Sequence, residues 1–169
     1  MVGYLNIVTC SISDLFRALT CFSYLSLNTK EEEAFNIWKN MKSTLNNNWV
    51  MCGTVRGDET KAKKHGLVNG STYNILFCED IYDNSNKKQN LVKFKNPWGA
   101  NVWGGDYSEG SNAWTESIIE QIGLNRVNKN IEGEFWMSLK DVTKYFETID
   151  ICQIIFRGKT FNFMYKGNS

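Results

Sequence analysis

The sequence predicts an α+β domain, an antiparallel sheet with helices at its edge, and three observations carry that reading. Ala34, Trp38, Met41 and Leu45 fall at i, i+4, i+7 and i+11, which is one face of a helix. Most remaining apolar residues come in short strand-like runs divided by turn signals. The chain of 169 residues is 42% hydrophobic and 14% aromatic, enough for one core and too much for a disordered tail.

The elements follow in order. Ser13 can cap a short first helix through Leu15, Phe16 and Leu19. Thr29-Lys30-Glu31-Glu32 has the form of a capping box and opens the helix of the Ala34–Leu45 stripe. Glu31 to Glu33 then sit at the positive end of its dipole, with Lys39 and Lys42 towards the other end. Strands are expected over 49–55, 66–78, 91–95, 134–137 and 149–156, with a turn at 83–86. Ser138-Leu139-Lys140-Asp141 starts a short helix that ends near Phe146. Residues 97–131, rich in Gly, Asn, Ser and Trp, have weak periodicity and are expected to form a long functional loop.

Composition narrows the function. Nineteen basic residues against 18 acidic leave a net charge of +1, so no global field draws the chain to nucleic acid or an anionic membrane. The cluster of Arg56, Lys61, Lys63, Lys64 and His65 lacks interleaved aromatics and is expected to be a solvated loop. No apolar run is long enough for a membrane-spanning helix, and Met1–Val8 does not have the form of a signal peptide. The 5 cysteines are odd in number, widely spaced and without a CxxC pair, which suits a reducing cytoplasm. Asn is abundant, 20 residues in all, but it is interleaved with Trp, Phe and Ile as in a folded domain.

Lys95-Asn96-Pro97-Trp98-Gly99 is the most distinctive segment. With Gly66-Leu67-Val68-Asn69-Gly70, Trp103, Trp114 and Gly133-Glu134-Phe135-Trp136-Met137-Ser138, it resembles the second half of a calpain-family, papain-like cysteine protease core. The likeness is tightest between about 66 and 153. It divides the chain into an unassigned segment 1–12, a core second half 13–156, and a tail or linker 157–169. It implies a two-lobed enzyme that hydrolyses peptide bonds through a thioester. The first half supplies a nucleophilic Cys, and the second supplies a His and the Asn that orients it.

Carried over residue by residue, Asn96 matches the catalytic Asn, and Trp98 matches the Trp that shields the His–Asn hydrogen bond. Ser71, in Gly70-Ser71-Thr72-Tyr73, stands where the catalytic His belongs. No Gln-x-x-x-x-x-Cys-Trp motif occurs, and the chain is expected to start after that half would end. A serine hydroxyl stays protonated near neutral pH and cannot serve as the base. His65, the sole histidine, lies six residues upstream, about 20 Å away on an extended strand. The resemblance therefore implies a proteolytic fold that is catalytically dead in this chain, with Ser71 and Asn96 on adjacent strands of one cleft and Trp98 packed beside them.

The resemblance also implies a calcium site, with Glu109, Glu132, Glu134 and the backbone carbonyl of Asn130 as ligands. Val102 stands where a further acidic ligand is expected, so binding should be absent or weak, on the order of 10⁻⁴–10⁻³ M. The implied partners are a protein substrate, a Cys-bearing first half or other calpain-like domains, with no nucleic acid. The alternative is a non-enzymatic interaction module, or a weak calcium-binding one.

Overall fold

The computed structural model describes residues 22–99, 103–123 and 131–154, together with positions 12, 14, 16 and 18, which are helical. The expected cap Ser13, the ligand Asn130, Val102 and the tail 157–169 lie outside the described residues. Six strands form one sheet: β1 (Tyr24–Asn28), β2 (Val50–Val55), β3 (Thr72–Tyr82), β4 (Lys88–Lys95), β5 (Glu134–Ser138) and β6 (Phe146–Cys152). Their order is β1-β6-β2-β3-β4-β5, and every neighbouring pair is antiparallel. Besides the helical positions 12, 14, 16 and 18, the described residues include the helices α1 (Ala34–Asn46), α2 (Glu59–Lys64), α3 (Glu116–Ile122) and α4 (Leu139–Tyr145). This is the α+β class expected from the sequence.

Each face of the sheet has its own apolar layer. Tyr73, Ile75, Val92, Phe94, Phe135, Met137 and Ile149 pack on one face with Ile37, Trp38 and Met41 of α1 and Val142 and Tyr145 of α4. On the other face, Ile81, Leu91 and Trp136 meet Ile118 and Ile122 of α3. The alternation of strand side chains makes this possible. A register shift between Ile75 and Phe77 restores it midway along β3, so that Cys78 joins Tyr73 and Ile75 in the larger layer.

Several elements differ from expectation for local reasons. Thr29 does not cap α1. Its N–H donates to Glu147 O at 2.8 Å and its hydroxyl to Phe146 O, so it extends the β1–β6 pairing, and the helix starts later, at Ala34. Ala34 is accordingly exposed, while Ile37, Trp38, Met41 and Thr44 form the buried stripe. The basic cluster is helical, not a loop: the Asp58 carboxylate accepts from Lys61 N–H at 3.1 Å and starts α2. Residues 66–71 turn, and β3 begins only at Thr72. The long loop contains α3, capped by the Thr115 hydroxyl, and β1 at Tyr24–Asn28 is an additional edge strand. Strand β6 starts at Phe146, directly after α4, and ends at Cys152.

Candidate active site

One end of the sheet gathers the C-terminal end of β2 and the start of β3 with the end of β4 and the start of β5. There, Val55 N–H donates to Ser71 O at 3.0 Å and Gly70 N–H donates to Val55 O at 2.8 Å. Two residues thus oppose one, and Gly70 takes φ +79°, the left-handed geometry of a glycine-led bulge. Ser71 follows this bulge on the side of the sheet occupied by Tyr73, whose hydroxyl accepts from Val68 N–H at 3.0 Å.

Asn96 is held from three directions. Its N–H donates to Gly133 O at 2.8 Å, its carbonyl accepts from Gly99 N–H at 3.1 Å, and its side-chain Oδ1 accepts from Trp98 N–H at 3.0 Å. Gly133 has φ +82°, and a Cβ there would meet Asn96 O at 2.7 Å, so only glycine lets the Asn-Pro-Trp-Gly turn lie on β5. Lys95 pairs with Asn74, and one further step along this register sets Asn96 opposite Tyr73. Ser71 immediately precedes β3 and Asn96 immediately follows β4, so the two residues sit at the same end of adjacent antiparallel strands. Asn96 is 2% exposed.

Trp98 departs from expectation. Its side chain is 80% exposed and does not pack beside Asn96, because the turn closed by Asn96 carries the indole away from the sheet. Trp98→Ala should accordingly change unfolding free energy by less than about 0.5 kcal/mol in urea titration. A loss of 2 kcal/mol or more, on the order of a buried aromatic, would show that the ring packs after all.

His65 cannot be placed by an extended strand, since the segment after it is two tight turns. Its ring instead lies 5.2 Å from Trp103 and 5.4 Å from Tyr145. These contacts make it a packing group at the end of α2. Around Ser71 and Asn96 the described side chains can hydrogen-bond and orient, but Ser71 offers only a hydroxyl, which has no capacity to take a proton at neutral pH.

The three described carboxylates of the implied calcium set are in different settings. Glu109 is exposed on the loop from Gly104 to Ala113, which lines an open concavity. Glu132 lies exposed against Gly99. Glu134 is held by Lys93 Nζ at 2.7 Å. Among the described residues no three acidic, Cys or His side chains converge on a point that could hold a metal. The expected convergence of Glu109, Glu132 and Glu134 is not seen in this arrangement, because the β4–β5 register gives Glu134 a different cation.

Comparison with known proteins decides the family. Residues 1–153 match the family model of the calpain family cysteine proteases. The chain belongs to that family. Human calpain-14 is 32% identical over 120 residues, which is 70% of this chain and 17% of the relative. The mouse calpain-2 catalytic subunit is 27% identical over 101 residues, 60% of this chain and 14% of the relative. The Arabidopsis thaliana calpain-type cysteine protease DEK1 is 30% identical over 103 residues, 60% of this chain and 4% of the relative. The calpain-family chain thus spans less than a fifth of the length of each of these proteins. The part held in common is the calpain-family protease domain matched over residues 1–153.

Proposed function

We propose that the chain is the second, His/Asn-type half of a calpain-type core, with residues 13–156 as that half and 157–169 as a tail, and that it binds protein without cleaving it. What supports this reading is Ser71 at the position where the resemblance implies the base, at the same end of the sheet as an Asn96 held through backbone and side chain. Papain-like hydrolysis needs a thiolate, and a thiol becomes one near neutral pH only beside a base or a positive group. With a hydroxyl there, the cleft keeps its geometry and loses its proton acceptor. The exposed Trp98 and Val68 flank the same end of the sheet and offer apolar surface to a protein partner, either a Cys-bearing half or another calpain-like domain. Buried cysteine side chains at Cys52, Cys78 and Cys152 support a reducing, cytoplasmic setting.

Neither Cys52 nor Cys78 is suited to attack. Burial, with smaller contributions from Asp150 and Cys152, pushes the Cys52 thiol up to about 12, and burial raises Cys78 as well. At neutral pH Cys52 is then held as the protonated thiol. A thiol-directed affinity probe of cysteine peptidases should label none of Cys52, Cys78 and Cys152 in the native chain, and all three after denaturation. Stoichiometric native labelling of one cysteine, lost in Asn96→Ala, would mean that a working nucleophile is present and the reading is wrong.

A further inference from the structure

Lys93 and Glu134 form an ion pair whose side chains are only 6% and 9% exposed. Lys93 stands opposite Trp136 and Lys95 opposite Glu134, so Lys93 and Glu134 are diagonal neighbours on one face of adjacent antiparallel strands. The ammonium also lies 5.8 Å from the centre of the Trp136 ring, whose negative face favours a cation. Glu134 is the buried member of the acidic set that the family resemblance assigns to calcium, while Glu109 and Glu132 are exposed.

We propose that Lys93 is the built-in counter-ion of Glu134, doing for this carboxylate what a bound calcium ion would otherwise do, and that this half of the core is stable without calcium. A buried carboxylate must be neutralised, and a divalent ion needs six to eight oxygens to leave water. Here a single ammonium 2.7 Å away meets the single buried charge. Calcium entering at Glu134 would have to displace Lys93 and leave that ammonium buried beside a divalent cation, which is electrostatically unfavourable. Val102, in place of an acidic ligand, removes a charge that could have offset this cost. The inference is independent of Ser71, so discovery of peptidase activity would leave it standing.

Melting curves of the full chain, with calcium chloride and with magnesium chloride as control, test it. The unmodified chain should keep its Tm within about 1 °C up to about 1 mM calcium, since a ligand that binds the folded state raises Tm only near or above its Kd. Lys93→Met should lower Tm by on the order of 10 °C, because it strands a buried carboxylate. The double variant Lys93→Met/Glu134→Leu should recover most of that loss and be indifferent to calcium, since an apolar pair can replace a buried ion pair. If Lys93→Met fails to fold, the double variant decides: folding supports the pair as a mutual neutraliser, and failure counts against it. The proposal is overturned if Lys93→Met melts where the unmodified chain does. It is also overturned if sub-millimolar calcium raises the Tm of the unmodified chain and Glu134→Gln removes that rise.

Discussion

Phe94→Ala is expected to destabilise the chain by about 3–5 kcal/mol, a large share of the 5–15 kcal/mol typical of a domain. Phe94 is fully buried and lies between two rings, stacked on Phe135 at 5.5 Å and on Phe146 at 4.7 Å. Tyr73 meets both of these partners edge-on at 5.8 Å. Four strands, β3, β4, β5 and β6, therefore meet at one aromatic stack, and truncating its centre leaves a cavity that rigid strands close poorly. Because Asn96 follows β4 two residues after Phe94, the relaxation lies next to the candidate site. Urea unfolding should show a lower midpoint with an unchanged slope. Phe35→Ala, at a residue 71% exposed, is the control and should stay within about 0.5 kcal/mol. A loss below about 1 kcal/mol at Phe94 would place the centre of the core elsewhere.

What the sequence made legible was local. The strands β2, β4 and β5 and the helix α4 were readable because each carries its period and its boundary signals within a dozen residues. Ser138 caps α4 as its position before Leu139-Lys140-Asp141 suggests. The helix α3 was readable too in principle, through Thr115 and the i, i+4 pair Ile118 and Ile122, but a glycine-rich neighbourhood obscured a helix of only seven residues. Thr29 misled because a Thr-x-x-Glu pattern says nothing about a competing acceptor 117 positions away, the Phe146 carbonyl.

The candidate site divides along the same line. Ser71, Asn96 and the turn after it lie in short contiguous motifs, and their placement at one end of the sheet follows from the antiparallel pairing of β3 and β4, which they adjoin. The exposure of Trp98 depends on the direction of a turn, which its residue types do not fix. The pairing of Glu134 with Lys93 depends on the register between strands separated by the long loop, and no local pattern encodes it. Carboxylates that look like a ligand set in the sequence are thus distributed by tertiary structure to a buried pair, a turn and an open loop.

On the proposed function, Ser71 leaves this half without its base while Asn96 stays in place. Ser71 offers a hydroxyl and no imidazole, so it cannot take up the proton of a thiol at neutral pH. A histidine would bring an imidazole, and Asn96 is already fixed in place, its backbone by Gly133 and Gly99 and its side-chain Oδ1 by the Trp98 N–H. The direct measurement joins the chain downstream of a Cys-bearing first half of a calpain-type core and follows cleavage of a fluorogenic peptide. With Ser71 unchanged, turnover should not exceed that of a Ser71→Ala control. Ser71→His should raise it by on the order of 10²–10⁴, the usual contribution of a general base, and adding Asn96→Ala should take much of that gain away. Turnover by the unmodified chain equal to that of Ser71→His, with both above the Ser71→Ala control, would contradict the account.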